Sequence, residues 1–152
     1  SSDRRQRWAL EAAWSPDGRY LALNTALDRE RGDIYSTDIM IIDTIDGSST
    51  MLEAPFSSSY GFAWLPNGRQ FITIGKTYAL SAGKRRTHLF LADFHTRQLV
   101  AVLPAFFTGT SEYHGGDGLL SLSADGQLLA FQCLKPTNLT EGAICITRIT
   151  LQ

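Results

Sequence analysis

The sequence predicts an all-β chain of repeated four-stranded antiparallel units, on three observations. One pattern recurs three times: Ala13-Trp14-Ser15-Pro16-Asp17-Gly18-Arg19, Ala63-Trp64-Leu65-Pro66-Asn67-Gly68-Arg69 and Ser121-Leu122-Ser123-Ala124-Asp125-Gly126-Gln127. Asp17, Asn67 and Asp125 fix its register at intervals of 50 and 58 residues, and Asp38-Ile39-Met40-Ile41-Ile42-Asp43 precedes His88-Leu89-Phe90-Leu91-Ala92-Asp93 by the same 50. Two landmarks sharing one offset mark a true repeat. The Asp-Gly and Asn-Gly pairs are strong hairpin signals, because both residues tolerate the positive φ of a tight turn. No long stretch carries the 3.6-residue apolar period of a helix.

The elements follow in order. In the first repeat the strands are expected over residues 9–14, 19–25, 37–43 and 49–53, with Asp17-Gly18 and Asp46-Gly47 as the first and third turns. The second repeats them 50 residues on, with residues 95–97 making a less decisive turn. The third shows strands near 118–123, 127–134 and 143–149 and lacks a fourth before Gln152. Four antiparallel strands per 40 to 50 residues describe a β-propeller blade. The expected organisation is one propeller segment over 1–152, with blades at about 9–53, 60–103 and 117–152. Trp14 and Trp64, each closing a first strand, are expected to fill space between blades.

The Trp-Ser-Pro-Asp-Gly-Arg run at 14–19 resembles the blade repeat of TolB-like propellers, a repeat of the WD type. It is also similar to blades of prolyl-oligopeptidase-type propeller domains. Residues 64–69 are a good second copy, and 122–127 lack both Trp and Pro. The resemblance implies blade architecture. It implies no catalysis, because the catalytic residues of those peptidases lie in a hydrolase domain that this sequence does not contain.

Three blades are fewer than the four to eight of a closed ring. An open arc leaves apolar blade faces and strand edges uncovered. The expected cover is the rest of a longer propeller, a second copy of the chain in a homodimer, or another protein subunit. The run Ser1–Arg7 is polar and reads as a tail or a cut end.

Composition narrows the partners. Fourteen Lys+Arg against fifteen Asp+Glu give a formal charge of −1 over 152 residues. Nucleic-acid binding through phosphate neutralisation needs a positive surplus, so no nucleic-acid partner is expected. No apolar run reaches the length of a transmembrane helix, so no membrane insertion is expected.

Tight turns alternate with longer connections at about 26–36, 54–61, 75–86, 104–117 and 135–142, all on one rim. Binding residues favour such connections on a rigid scaffold. The candidates there are Arg29, Arg31, Tyr35, Tyr60, Tyr78, Lys84, Arg85, Arg86, Tyr113, His114 and Asp117. Tyr and Arg are enriched where proteins recognise proteins. His114 and Asp117 offer two ligands where a zinc site takes three or four, so no metal is expected. Ser57, Ser58 and Ser59 lack a nucleophile elbow, and no cofactor motif is present, so neither catalytic residues nor cofactors are expected.

Cys133 and Cys145 fall on adjacent predicted strands, eleven residues apart in between. A symmetric hairpin sets them opposite each other within disulfide range. Bridged cysteines imply an oxidising, extracytoplasmic compartment, and free buried thiols leave the compartment open. The leading function is a non-catalytic module for protein recognition or assembly. The alternative is the propeller portion of a larger prolyl-oligopeptidase-type serine peptidase.

Overall fold

A computed structural model describes residues 7–27, 37–53, 58–79, 84–101, 120–135 and 138–149. They form eleven strands and, among the described residues, no helix. Blade 1 comprises β1 (Arg7–Trp14), β2 (Tyr20–Leu27), β3 (Thr37–Asp43) and β4 (Ser49–Leu52). Blade 2 comprises β5 (Ser58–Trp64), β6 (Gln70–Ala79), β7 (Lys84–Asp93) and β8 (Gln98–Ala101). Blade 3 comprises β9 (Leu120–Leu122), β10 (Leu128–Lys135) and β11 (Asn138–Arg148). Each blade is an antiparallel meander in chain order, with β11 at the outer edge of the third. The innermost strand β5 neighbours β1 on one side and β9 on the other, so the blades fan from a common side.

The first turn of each blade is built the same way. Gly18 donates to the Ser15 carbonyl at 2.9 Å, Gly68 to Leu65 at 3.0 Å and Gly126 to Ser123 at 2.8 Å. All three glycines sit at positive φ, between 64° and 71°. That is the form of a turn followed by one left-handed residue, which glycine takes without steric cost. In blades 1 and 3 a serine completes it: the Ser15 hydroxyl donates to Asp17 at 2.5 Å and accepts from the Tyr20 amide at 2.8 Å. Ser123 repeats both bonds, with Asp125 and Leu128. Blade 2 has Leu65 there, and Asn67 Oδ1 takes over by accepting from the amides of Arg69 and Gln70, both at 3.0 Å.

Strand alternation gives each blade two faces. Ala22, Ile39, Ile41 and Leu52 of blade 1 pack on Trp64, Phe71, Phe90 and Phe94 of blade 2 in one core. The opposite face of blade 2, with Ala63, Ile72, Ile74 and Leu89, packs on Leu129 and Phe131 of blade 3 in a second. Ring contacts tighten the first core: Trp64 lies 5.1 Å from Phe71, and Tyr20 reaches Phe94 at 4.6 Å, centroid to centroid.

Several expectations change. Trp64 is buried between blades as predicted, at 8% exposure, and its indole N–H donates to the Ala13 carbonyl at 3.0 Å. Trp14 is 58% exposed, because the described chain has no blade on its side. The expected connection at 75–86 is mostly strand: Tyr78 pairs with Arg85 and Ala79 with Lys84, so the β6–β7 hairpin runs on to its tip. The described residues of the expected connection at 135–142 are also strand, with Lys135 paired to Asn138. Cys133 and Cys145 are not directly opposite. Phe131 faces Cys145 and Cys133 faces Ala143, which makes the cysteines diagonal neighbours on one face. Cys145 is disulfide-bonded, and Cys133 is the chain's one other cysteine.

Candidate functional site

The meander puts the β1–β2 and β3–β4 turns and their repeats on one rim. The strand ends that lead from β2 to β3, from β6 to β7 and from blade to blade lie on the opposite rim. The turn rim is chemically self-contained. Arg19 donates twice to Asp43, through Nε at 3.1 Å and Nη2 at 2.8 Å. Arg69 Nε repeats the contact with Asp93 at 2.8 Å. In blade 3 the equivalent tie is Arg148 to the Gln127 amide oxygen at 3.0 Å.

The carboxylates of this rim are held in the charged form by their own turns. The Ser15 hydroxyl, followed by the Arg19 amide, lowers the Asp17 pKa. The side chain of Arg19 lowers that of Asp43, and Ser48 lowers that of Asp46. Ser123 does the same for Asp125. Burial opposes the charge of Asp93, but the Thr96 amide and the Arg69 side chain outweigh it, and its pKa also falls.

Five of the eleven residues singled out from sequence fall among the described residues. Arg29, Arg31, Tyr35, Tyr113, His114 and Asp117 lie outside the described residues. Tyr60 lies on β5, Tyr78 on β6, and Lys84, Arg85 and Arg86 begin β7. Register brings Tyr78, Lys84, Arg85 and Arg86 together at one hairpin tip on the rim opposite the turns. The basic cluster therefore rides on paired strand, a stiffer support than a loop.

A polar cluster on the inner strands went unnoticed in the sequence. Asn24, fully buried, donates to the Glu11 carboxylate at 3.3 Å and to the Ser59 carbonyl at 3.2 Å. The Ser59 hydroxyl donates to Asn24 Oδ1 at 2.6 Å, and the Gly61 amide donates to Glu11. Glu11 borders the bulge that shifts register in β1, and Gly61 is the unpaired residue of the bulge in β5. A buried asparagine needs such partners, and here they clamp blade 1 to blade 2. The signal available was Asn24 itself, a polar residue on the inward parity of an apolar strand. Chemically the cluster is a carboxylate among amide donors, suited to holding backbone in place. Among the described residues no group of three or more His, Cys, Asp or Glu is placed to hold a metal ion.

No protein family and no curated protein matches the chain. Solved structures do. TolB from Acinetobacter baumannii matches with TM-score 0.61 and 19% identity over 94% of this chain and 29% of its own. Prolyl oligopeptidase B from Galerina marginata matches with TM-score 0.60 and 14% identity over 95% of this chain and 21% of its own. Hydrazine synthase from Kuenenia stuttgartiensis matches with TM-score 0.58 and 15% identity over 95% and 46%. The chain folds as β-propeller blades of the TolB-like kind. It spans less than half the length of each of these neighbours. At such identities the likeness speaks for fold alone.

Proposed function

We propose that the chain is a non-catalytic propeller module that recognises a protein or peptide through its long-connection rim. The difference between the rims carries this reading. Asp17, Asp43, Asp93 and Asp125 on the turn rim are engaged by their own turns and arginines. Register gathers Tyr78, Lys84, Arg85 and Arg86 at one hairpin tip, and the sequence adds Arg29, Arg31, Tyr35, Tyr113, His114 and Asp117 in the connections expected beside it. Aromatic and arginine side chains on a rigid support are the usual material of recognition surfaces.

Peptides selected from a random displayed library on the immobilised chain provide the test. Tyr78→Ala, Arg85→Ala and Tyr35→Ala are expected to weaken the selected peptides tenfold or more, about the loss of one interface anchor. Asp46→Ala and Thr96→Ala on the turn rim are expected to leave them unchanged. Losses that track the turn rim instead would overturn the assignment.

A second reading makes the chain the propeller portion of a larger serine peptidase. The match to prolyl oligopeptidase B, of which this chain covers about a fifth, favours it. A Gly-x-Ser-x-Gly segment in the same polypeptide would decide for it. Either reading suits an oxidising compartment, given the disulfide at Cys145. Intact mass without reductant should be two hydrogens short of the dithiol form, and two alkylatable thiols in natively produced protein would remove that inference.

A further inference from the structure

The passage from second to third strand holds the same place in every blade, yet its charge differs from blade to blade. In blade 2, residues 76–87 hold Lys76, Lys84, Arg85 and Arg86 and no carboxylate. The equivalent stretch of blade 1, residues 26–37, holds Arg29 and Arg31 against Asp28, Glu30 and Asp33. The passage in blade 3 sets Lys135 against Glu141. Folding needs are common to the three blades, so they do not account for a charge that one blade alone carries. Register shows what that charge costs. Lys76 pairs with Thr87, Thr77 with Arg86, Tyr78 with Arg85 and Ala79 with Lys84, so no cation of the hairpin is paired with a carboxylate across the ladder. Strand alternation puts Lys84 and Arg86 on one face, on the parity of Phe90. It puts Lys76, Tyr78 and Arg85 on the other, on the parity of Ile74 and Leu89. Like charges sharing a face of a ladder weaken it.

We propose that this hairpin is the docking strip for an acidic peptide segment of a partner protein. The proposal rests on the reading of this rim as a recognition surface and names the chemistry that the surface takes. Carboxylates brought by a partner supply the opposite charge that the ladder does not. Arginine meets a carboxylate with two parallel N–H donors, in hydrogen bonds strengthened by charge. Tyr78, in register with Arg85, adds an aromatic residue of the kind enriched where proteins meet. The four paired residues of each strand span about 13 Å, the length of about four extended residues. That confinement favours a short acidic segment over a long polyanion. A nucleic acid or an anionic membrane carries negative charge well past the hairpin, and the β2–β3 connection of the adjoining blade sets three carboxylates against two arginines. Charges act over about 8 Å at physiological salt, so a ligand confined to the strip escapes that repulsion.

Fluorescence polarisation with a labelled Glu/Asp octapeptide, against the same peptide written in Gln/Asn, reads the outcome. The acidic peptide is expected to bind roughly tenfold more tightly or better, and to weaken as salt rises. Arg85→Glu and Arg86→Glu are each expected to reduce its affinity roughly tenfold or more. Arg148→Glu makes the same change of charge on the turn rim and is expected to leave the affinity unchanged. Where a glutamate variant loses its β-sheet circular dichroism, Arg85→Gln or Arg86→Gln takes its place. Equal affinity for the two peptides overturns the proposal, as does acidic binding indifferent to the hairpin. Tighter capture of single-stranded DNA or of phosphatidylserine vesicles through Arg85 and Arg86 overturns it in favour of an extended polyanion. The rim reading fails separately. Uncharged library peptides that depend on Tyr78 and Tyr35 would remove the acidic partner and leave the rim standing, whereas library peptides lost with turn-rim substitutions would remove the rim.

Discussion

Arg97 sits at φ 56° where its repeat equivalent is Gly47 at 73°. A side chain in that region costs about 1–2 kcal/mol. Arg97→Gly is therefore expected to raise stability by about 1 kcal/mol, measured by urea denaturation, less the entropy that glycine gains in the unfolded chain. Glycines in the first turns separate strain from crowding. A Cβ at Gly18 meets nothing within 4 Å, while one at Gly126 meets Pro66 Cδ at 2.5 Å. Gly18→Ala is expected to cost about 1–2 kcal/mol from φ alone. Gly126→Ala should cost about 1–3 kcal/mol more, because the turn of blade 3 must lift off that of blade 2. The Asp-Gly pairs made these turns legible in the sequence. The contact between Gly126 and Pro66 was not, since it joins residues of different repeats.

The turn carboxylates also set an acid limit. Asp17, Asp43, Asp93 and Asp125 all have lowered pKa values in the fold. Each contributes stability that is fully present above the unfolded value of about 3.9 and is lost as pH falls through the lower folded value. Melting temperature should hold from neutrality to about pH 5 and fall steeply below about pH 4. Asp43→Asn and Asp93→Asn should reduce that slope, and an unchanged melting temperature at pH 3 would contradict the assignment.

At the scale of the element, the weight rests on strand ends that meet neighbouring blades. Trp64 packs on Phe71 and Phe94 and holds the Ala13 carbonyl. Trp64→Ala is expected to cost about 3–5 kcal/mol, as large core truncations do. Trp64→Phe keeps most of the ring packing and loses the hydrogen bond, at about 0.5–1.5 kcal/mol. Thermal melts of the two variants check the ordering. The strands of blades 1 and 2 were readable from alternation and turn residues. The hairpin tips were harder. Lys76 to Ala79 and Lys84 to Thr87 are polar enough to read as loop, and cross-strand backbone pairing keeps them extended. The diagonal placement of Cys133 and Cys145 was hidden by the register shift between Leu134 and Lys135, which spacing alone does not reveal.

At the scale of the molecule, the repeat made the architecture legible, because turn, strand and face all recur at one offset. The rim did not become legible in the same way. Its residues differ from blade to blade, so no periodicity marks which of them act. The inner cluster of Glu11, Asn24 and Ser59 likewise occurs once among the described residues, between blades 1 and 2. What does recur is the pair of matched faces on every blade, and this makes the unit insertable. A tandem copy of residues 13–62, spliced before Ala63, keeps the register at both junctions. It sets a new Trp14 where Trp64 now sits, against an unaltered Ala22–Ile39–Ile41 face. Repeat arrays gain stability with each added unit and neighbouring interface. The lengthened chain should therefore melt higher than the parent in calorimetry, as a fourth blade grown from the same alphabet; a lower melting temperature would mean that the two faces of a blade are not interchangeable along the stack.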